Sequence, residues 1–356
     1  MTAAEFHTLT VGSVDALTDD SVAVTFDVPN ELAESYRFTP GQHVIIRAEI
    51  DGEDVRRSYS ICSSAASGDL RVAVRRIDGG VFSTFVNTRL AAGDSLSVTP
   101  PTGEFVLEPD SSNSMHYLAI AAGSGITPIM SMIATTLEEE PDSAFTLLFG
   151  NRDGLSIMFL EELATLKDRF PARFVLMHFL SREMNTIPLF EGRIDTGKLE
   201  TLFSSVVDAE SVDEWYLCGP AAMVDDAIAL LRSRGVSDAA IHQELFFADR
   251  DAVRPAPPVA ATEEGSVVNF TLGGRTTTTV VPTDGAPILD YVLSVRRDAP
   301  FSCRNGACAS CRSIVLEGEV TMDHNWCLTQ EEVDAGQILT CQSHPVSPNV
   351  VLSFDI

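Results

Sequence analysis

Four cysteines near the C-terminal end constrain the fold more than any other feature of the sequence. Cys303, Cys308 and Cys311 are separated by four and two residues, and Cys341 follows after another 29. Five of the seven cysteines lie in the last 54 residues of a 356-residue chain that shows no secretory signal, so a disulfide framework is not expected. The short spacings place three thiols on one loop, and the fourth must arrive from a distant segment. The pattern therefore predicts a loop that wraps a metal centre.

The spacing C-x4-C-x2-C with a distant fourth cysteine is typical of a [2Fe–2S] cluster held by four thiolates, two on each iron. Gly306, Ala307, Ala309 and Ser310 are small, which would let backbone N–H groups approach the sulfides. A structural zinc site is the alternative, but zinc ribbons use two C-x2-C pairs and this sequence has one. Cys327 lies outside the spacing, and we expect it to be a small buried residue.

The composition is that of an acidic globular protein with two or three domains. Asp and Glu number 51 and Lys and Arg 24, so the net charge is −27, which disfavours nucleic acid and anionic membrane surfaces as partners. Residues 1–105 carry 8 basic and 15 acidic groups, residues 106–250 carry 10 and 23, and residues 251–356 carry 6 and 13. Because no single tail explains the excess, it is either a solvated acidic surface or a docking face for a basic protein.

No segment is expected to span a membrane. Residues 115–137 contain no charged side chain and are long enough to cross a bilayer. Gly123-Ser124-Gly125 and Thr127-Pro128 interrupt this stretch, however, and divide it into a strand, a turn and the start of a helix. The N-terminus has no basic segment followed by an apolar run, so it does not resemble a signal peptide. We therefore expect a cytoplasmic protein.

Hydrophobic periodicity divides the chain into three domains and a linker. Residues 1–108 contain short alternating strands separated by turn signals, which predicts a small antiparallel Greek-key β-barrel. Residues 109–250 alternate strands with helical periods, which predicts an α/β doubly wound parallel sheet. Residues 251–265 are rich in proline and are typical of a linker. Residues 266–356 predict a compact α+β domain that carries the cysteine loop.

Two segments of the first domain have side chains suited to a flavin. In Arg57-Ser58-Tyr59-Ser60, a tyrosine ring can stack on an isoalloxazine, a serine can hydrogen-bond its N5, and an arginine can pair with a phosphate. In Gly79-Gly80-Val81-Phe82-Ser83-Thr84, glycines and hydroxyls precede a helix, which suits a diphosphate. The alternative for the second segment is a tight hairpin turn followed by a helix cap.

Two segments of the second domain have the position of a dinucleotide site. Ala121-Ala122-Gly123-Ser124-Gly125-Ile126-Thr127-Pro128 lies at a strand–turn–helix junction and lacks the third glycine of G-x-G-x-x-G, so it is a variant phosphate loop. Cys218-Gly219-Pro220 ends a later strand, at the edge of the sheet where ligands bind. The alternative for Cys218 is a buried core thiol.

These motifs occur in the order found in the ferredoxin–NADP reductase superfamily, followed here by a plant-type ferredoxin. The sequence resembles this combination over nearly its whole length. Pro40-Gly41-Gln42 and Pro101-x-Gly103-x-Phe105 are also similar to barrel motifs of these reductases. The resemblance implies a flavin-binding barrel, a nicotinamide-nucleotide domain and a β-grasp ferredoxin domain in one chain.

The resemblance also implies roles for individual residues. Ser60 would lie near the flavin N5, Cys218 near C4 of the nicotinamide, and Glu244 would close the flavin site, so these three are the expected catalytic residues. Phe246 matches the second position of the family's Glu-x-Phe, although this chain continues where plant-type reductases end in a stacking tyrosine. The residues expected to bind FAD are Arg57, Tyr59, Ser60, Val74, Arg75, Gly80, Val81, Phe82, Ser83 and Phe246. Those expected to bind the nicotinamide nucleotide are Gly123, Ser124, Gly125, Ile126, Thr127, Pro128, Gly219 and Pro220. The expected cluster ligands are Cys303, Cys308, Cys311 and Cys341.

The choice of nucleotide depends on two arginines. Ser181-Arg182 follows the third strand of the second domain and resembles the Ser-Arg pair that binds the 2′-phosphate of NADPH, and Arg152 could assist. We therefore expect NADPH, with NADH as the alternative. The competing interpretation is that both arginines pair with nearby carboxylates. FMN in place of FAD is also an open alternative, because some relatives with this domain order use it.

The resemblance implies an oxidoreductase that passes electrons from NADPH to FAD, then to the [2Fe–2S] cluster, and then to an oxygenase. A nicotinamide gives two electrons together and the cluster accepts one at a time, so a flavin is needed between them. The sequence has no E-x-x-H pair and no mononuclear iron triad, so the acceptor is expected to be a separate protein. We also expect the linker to let the ferredoxin domain move between flavin and acceptor.

Within this family, Glu319–Asn325 and Leu339–Pro345 are similar to the reductases of phenylacetyl-CoA 1,2-epoxidases, which act in phenylacetate catabolism. Reductases of ketosteroid 9α-hydroxylases share much of both segments, so they are the alternative. An iron–sulfur sensor or carrier without hydride chemistry is an alternative of a different class, and the nucleotide motifs disfavour it.

Overall fold

A computed structural model of the chain describes residues 5–245, 265–282, 284–301, 304, 306, 309–325 and 327–356. Except for Gly265, the predicted linker lies outside these described residues.

Six antiparallel strands and one helix form the first domain. They are β1 (His7–Thr18), β2 (Ser21–Asp27), β3 (His43–Ile50), β4 (Glu53–Ser60), β5 (Leu70–Arg75), α1 (Val81–Thr88) and β6 (Ser95–Val98). The strand order is β4-β3-β6-β1-β2-β5. An antiparallel bridge joins Ile61, directly after β4, to Val72 in β5. Because this bridge connects the two edge strands, the sheet closes into a barrel whose core includes Leu9, Val24 and Phe82.

Five parallel strands form the sheet of the second domain. They are β7 (His116–Ala122), β8 (Ala144–Asn151), β9 (Phe174–Leu180), β10 (Glu214–Gly219) and β11 (Ile241–Leu245). The order is β11-β10-β7-β8-β9, with every neighbouring pair parallel. The chain runs outward from β7 to β9 and then returns to β10, so the strand order reverses between β7 and β10. In sheets of this kind, ligands bind at the carboxyl ends of the strands beside that reversal.

Helices cover both faces of the parallel sheet. They are α2 (Ile126–Glu139), α3 (Leu160–Arg169), α4 (Thr196–Ser205) and α5 (Ala221–Ser233). α2 and α3 pack on one face and α4 and α5 on the other, in two separate apolar clusters. The α2 cluster also contains Cys62, Ala73 and Phe105 from the first domain and its exit segment. The barrel and the sheet therefore share a core, and α2 lies between them.

The C-terminal domain is a mixed sheet with one main helix packed on it. Its elements are β12 (Gly265–Leu272), β13 (Arg275–Pro282), α6 (Ile288–Val295), β14 (Arg312–Glu317), β15 (Val320–Met322), α7 (Gln330–Asp334), β16 (Gln337–Leu339), β17 (Ser343–Pro345) and β18 (Asn349–Ser353). Five strands form the sheet β13-β12-β18-β14-β16, in which β12 and β18 are parallel, and β15 and β17 form a separate pair. α6 buries Ile288, Leu289 and Val292 in the core of this sheet.

The predicted fold class is confirmed in all three parts, since an antiparallel barrel, a doubly wound parallel sheet and an α+β domain follow one another along the chain. The exact domain limits stay predictions. In the part of the chain that the structure describes, no helix is both long and apolar enough to cross a membrane. The uncharged stretch at residues 115–137 forms β7 and most of α2 instead.

Candidate functional site

Ser60 and Glu244 join the barrel to the parallel sheet. Ser60 is the last residue of β4. Its hydroxyl donates a hydrogen bond to Oε2 of Glu244 in β11 over 3.4 Å. Burial raises the pKa of the Glu244 carboxyl from 4.5 to about 7, although the Ser60 hydrogen bond lowers it. Glu244 can therefore gain or lose a proton near neutral pH, beside the hydroxyl that we expect to face the flavin N5.

Cys218 lies next to Glu244 across the sheet. The two residues are register partners in the parallel strands β10 and β11. Cys218 is fully buried, and this burial, followed by the neighbouring charge of Glu244, raises the pKa of its thiol well above its usual range. The residue is therefore a neutral thiol, as a buried core cysteine would be. Cys218 also lies near the end of β10, where we expect the nicotinamide to bind. A contact between Cys218 and the nicotinamide stays a prediction.

Two loops meet closely at the reversal of strand order. A Cβ atom on Gly125 would lie 2.3 Å from the carbonyl oxygen of Cys218, and one on Gly219 would lie 2.8 Å from Cε of Met223. Gly123 has a φ of +56°, a conformation that glycine adopts without steric cost. These glycines let the turn after β7 pack directly on the end of β10.

The 3-10 turn Gly123–Gly125 leads directly into α2. The N–H of Ile126 donates to the carbonyls of Gly123 and Ser124, and the N-cap residue Gly125 makes no side-chain cap. The Thr127 hydroxyl donates to the carbonyl of Ser124 over 3.0 Å, which stabilises the turn, and Ile126 and Pro128 are buried in the first helical turn. A helix start beside two strand ends is where a diphosphate binds in sheets of this kind.

The predicted flavin residues lie on β4, β5 and the start of α1. The Tyr59 ring packs against Phe82 with ring centroids 5.6 Å apart, and Nη1 of Arg57 donates to the carbonyl of Arg56. Val74 and Phe82 are buried in the barrel core, whereas Arg57 and Tyr59 are half-buried.

The segment before α1 has the internal bonds of a tight turn. The Ser83 hydroxyl accepts from Ile77 N over 3.1 Å and donates to the carbonyl of Gly80 over 3.3 Å. Val81, the first residue of α1, is exposed. The structure therefore has the tight turn of the alternative interpretation, but the N-cap residue Gly80 makes no side-chain cap bond. Diphosphate binding at this helix start stays a prediction.

Asp20 binds two of the arginines that the sequence predicts at cofactors. Its Oδ2 atom lies 3.1 Å from Nη2 of Arg75 and 3.0 Å from Nη2 of Arg152. Burial alone would raise the pKa of Asp20, but a hydrogen bond from Thr18 and the charge of Arg75 lower it, so this carboxylate stays ionised. Asp20 lies in the turn between β1 and β2, and the ion pairs link the barrel to the loop after β8.

Ser181 and Arg182 line a surface pocket of about 490 Å³ at the end of β9. Glu183, Met184 and Glu191 also line it. The backbone N–H of Arg182 donates to the carbonyl of Arg152 over 2.7 Å, so the two arginines are close in the fold. Arg182 is exposed, whereas the Arg152 guanidinium is bound to Asp20.

Two of the four predicted cluster ligands lie within the described residues. Cys311 and Cys341 are both buried and belong to the core of the third domain. The backbone N–H and the hydroxyl of Thr340 both donate to the carbonyl of Cys311, over 3.2 and 3.0 Å. These bonds hold the two cysteine segments together. Cys303 and Cys308 lie outside the described residues, and so does Phe246.

The cysteine loop is held by Gln342, a residue of the Leu339–Pro345 segment whose role the sequence did not predict. Nε2 of Gln342 donates to the carbonyls of Arg304 and Cys341, over 2.8 and 2.9 Å. Gly306 has a φ of +82°, and a Cβ there would lie 3.0 Å from the carbonyl of His324. The donor chemistry and the tight loop fit a cluster bound by thiolates. Cys327 is buried in the same core, as expected for a cysteine outside the ligand spacing.

Three protein families match consecutive parts of the chain. Residues 8–107 match the family described as oxidoreductase FAD-binding domain, and residues 119–228 match the oxidoreductase NAD-binding domain. Residues 270–346 match the 2Fe-2S iron-sulfur cluster binding domain. The matches bear out the expected cofactor types, which are FAD, a nicotinamide nucleotide and a [2Fe–2S] cluster.

Several known proteins are similar to this chain over almost its full length. A component of the 1,2-phenylacetyl-CoA epoxidase of Escherichia coli K12 is 43% identical over 98% of both chains. The ferredoxin reductase component of 3-ketosteroid-9-alpha-monooxygenase from Rhodococcus rhodochrous is 31% identical over 97% of this chain and 96% of its own. The fold also matches the structure of phthalate dioxygenase reductase, with a TM-score of 0.55, 22% identity and 98% coverage of both chains.

Because the pKa of Glu244 is raised, we expect the free energy of unfolding to depend on pH, and the substitution Glu244→Gln should remove this dependence. The pKa of Glu244 is about 7 in the folded state, compared with an ordinary value of 4.5. The neutral carboxyl therefore stabilises the folded state fully below about pH 4.5, and this stabilisation is lost as pH rises through about 7. Between about pH 5 and about pH 8, the unfolding free energy should fall by about 1–3 kcal/mol more in the wild type than in Glu244→Gln. Urea unfolding followed by tryptophan fluorescence, to which Trp215 in β10 contributes, measures this difference.

Glu161→Gln is the matched control, because Glu161 is an exposed residue of α3. It should follow the wild-type pH profile. Equal profiles for the wild type and Glu244→Gln would contradict the assignment of a buried carboxyl with a raised pKa at position 244.

Proposed function

The chain belongs to the family of flavin- and iron–sulfur-dependent reductase components of multicomponent oxygenases, and we propose that its acceptor is the oxygenase of a phenylacetyl-CoA epoxidase. Members of this family are oxidoreductases that deliver electrons from a nicotinamide nucleotide to an oxygenase component. When bound, FAD supplies the step between a two-electron donor and a one-electron cluster. The rest of the chemistry depends on how the chain positions its cofactors.

The residues at the domain junction have roles that suit hydride delivery. Ser60 offers a hydroxyl held by Glu244, and Glu244 can hold a proton near neutral pH. Cys218 is a neutral, apolar-like side chain that excludes water at the end of β10. The start of α2 lies at the reversal of strand order, a position that suits the nucleotide diphosphate. We infer that these residues orient the nicotinamide against the flavin.

One observation carries the choice of acceptor. The segments Glu319–Asn325 and Leu339–Pro345, which resemble epoxidase reductases, include the paired strands β15 and β17. Nε2 of His344 lies 3.0 Å from Oδ2 of Asp323, and Asp323 N donates to the carbonyl of Gln342, next to Cys341. The segments that carry the resemblance therefore lie together beside a predicted cluster ligand.

We call the exposed part of this pair the β15–β17 surface. It consists of Glu319, Thr321, Asp323, His324 and Val346. The first four are charged or polar, and Val346 is apolar with 56% of its surface exposed. An exposed apolar side chain within a polar rim is the usual composition of a transient protein interface. We infer that the oxygenase docks here, with the ketosteroid 9α-hydroxylase oxygenase as the alternative partner.

For the nucleotide, we propose NADPH bound through Arg182. Arg182 is exposed at the pocket after β9, and Ser181 lines the same pocket. Arg152 is bound by Asp20, so it is less available to a 2′-phosphate. This leaves Arg182 as the main candidate for recognition of that phosphate.

The acceptor is tested by reconstitution with purified oxygenase components. With NADPH, the chain should support phenylacetyl-CoA epoxidation by the epoxidase oxygenase and should couple poorly to the ketosteroid oxygenase. Thr321→Lys on the β15–β17 surface should raise the KM for the oxygenase about tenfold or more, because a long charged side chain disrupts a docking surface. Thr276→Lys, on the exposed strand β13, is the matched control. Equal turnover with both oxygenases would contradict the proposed acceptor, and an unchanged KM would contradict the proposed surface.

The nucleotide is tested by steady-state kinetics of flavin reduction with each donor. Arg182→Ala should lower kcat/KM for NADPH by about tenfold to a hundredfold, because a charged hydrogen bond to phosphate is lost. It should leave kcat/KM for NADH within about twofold. Arg152→Ala should have a smaller effect than Arg182→Ala, since Arg152 pairs with Asp20. A wild-type preference for NADH, or equal losses with both nucleotides, would overturn the assignment.

A further inference from the structure

Arg56 of the flavin barrel is buried by the iron–sulfur domain. Only 3% of the residue is exposed, although it lies on β4 of a small barrel. Nη1 donates to the carbonyl of Cys327 over 2.8 Å, and Nη1 and Nη2 donate to the two carboxylate oxygens of Glu332 over 3.0 and 2.8 Å. The guanidinium thus forms a two-bond fork with one carboxylate, which fixes orientation as well as distance.

Three further charged groups extend this pair into a five-member network across the domain contact. Asp54, on the same barrel strand, binds Nη2 of Arg56 over 2.7 Å. Arg312, directly after Cys311, binds Oε1 of Glu332 over 3.1 Å. Burial would raise the pKa of Glu332, but its bonds with Arg56 and the Thr329 backbone lower it to about 2, so the carboxylate is charged at neutral pH. Nε of Arg47 also binds Oδ1 of Asp54 over 3.0 Å, so three positive and two negative groups alternate along the network.

Apolar side chains surround this chain of charges. Ile45 of β3 has no exposed surface and belongs to the hydrophobic core of the iron–sulfur domain. Phe6 packs against the same core, and the guanidinium of Arg56 lies 5.6 Å from the centre of its ring. Arg47 and Arg56 are register partners across β3 and β4, and Ile45 pairs with Ser58 in the same way. One face of β3 and β4 therefore forms the surface on which the iron–sulfur domain packs, and we call this surface the seat.

The seat lies on the strand that carries the predicted flavin contact. Side chains alternate along a strand, so Arg56, Ser58 and Ser60 point to the same face of β4. Arg56 and Ser60 are four residues apart, which is about 13 Å along a strand. On the other side, Arg312 follows the cluster ligand Cys311. The ion pairs Arg56–Glu332 and Glu332–Arg312 thus link the strand that carries the predicted flavin contact to the residue that follows a predicted cluster ligand.

We propose that Arg56 is the positioning residue that seats the iron–sulfur domain on the flavin barrel for electron transfer within the chain. The interface geometry, and not only the tether between the domains, then sets the distance from flavin to cluster. A charged pair also suits an interface that must release, because separated ions regain their hydration and apolar faces do not. The seating rests on the reductase function of the chain but is the same whichever oxygenase is the acceptor.

The test uses the full-length holoprotein and two independent readouts. Hydrogen exchange followed by mass spectrometry reports protection of the amides of β4 and α7. Stopped-flow absorbance with NADPH reports bleaching of the flavin and of the cluster separately. In Arg56→Gln, exchange at β4 and α7 should rise about tenfold or more and cluster bleaching should slow about tenfold or more, because a buried partner is left unpaired. Flavin bleaching should stay within about twofold of the wild type.

Two further variants make the outcome specific. Arg56→Lys keeps the charge without the fork and should fall between the wild type and Arg56→Gln. Arg89→Gln removes an exposed barrel ion pair with Asp51 and should match the wild type.

Unchanged exchange and unchanged cluster bleaching in Arg56→Gln would overturn the proposal. Equal slowing of flavin and cluster bleaching would also overturn it, since that result indicates general damage to the barrel. Should Arg56→Gln fail to fold, Glu332→Gln keeps the test decisive. In that variant, exchange at β4 and α7 should rise and cluster bleaching should slow as predicted for Arg56→Gln, and wild-type values of both would contradict the proposed contact.

Discussion

The structure depends on the close approach of the turn after β7 to the end of β10. Gly125 permits this approach, because any side chain there would collide with the carbonyl of Cys218. The contact sets the point at which the strand order reverses, and β11 then lies beside β10. That placement brings Glu244 to the hydroxyl of Ser60 on the barrel. A single backbone contact thus aligns the nucleotide loop, the buried thiol and the flavin strand.

The charge of −27 conceals how the few basic groups are used. Asp20 binds Arg75 and Arg152, and so ties the barrel to the nucleotide domain. Arg56 binds Glu332, and so ties the barrel to the iron–sulfur domain. In this mainly acidic chain, arginines therefore form ion pairs that connect one domain to another. The remaining acidic excess is available for solvation or for steering toward a basic partner.

The fold could be predicted from the sequence because its signals are local. Alternating strands, glycines at turns and the cysteine spacing each lie within a few residues, and they indicate the barrel, the parallel sheet and the cluster domain. The ion pairs could not be predicted in the same way. Asp20 and Arg152 are 132 residues apart and Arg56 and Glu332 are 276 apart, so no periodicity relates them. The role of Gln342 was also hidden, since its contacts with Arg304 and Cys341 depend on how the loop closes.

Electron flow from a nicotinamide nucleotide through a flavin to a [2Fe–2S] cluster, all within one chain, is the property on which every assigned role depends. An anaerobic titration of the purified protein with NADPH, followed by visible absorbance and by electron paramagnetic resonance, tests it most directly. We predict that flavin bands and a broad iron–sulfur absorption both bleach, and that a signal from a reduced [2Fe–2S] cluster develops. Bleaching of flavin bands alone, with zinc in place of iron by metal analysis, would contradict this electron path.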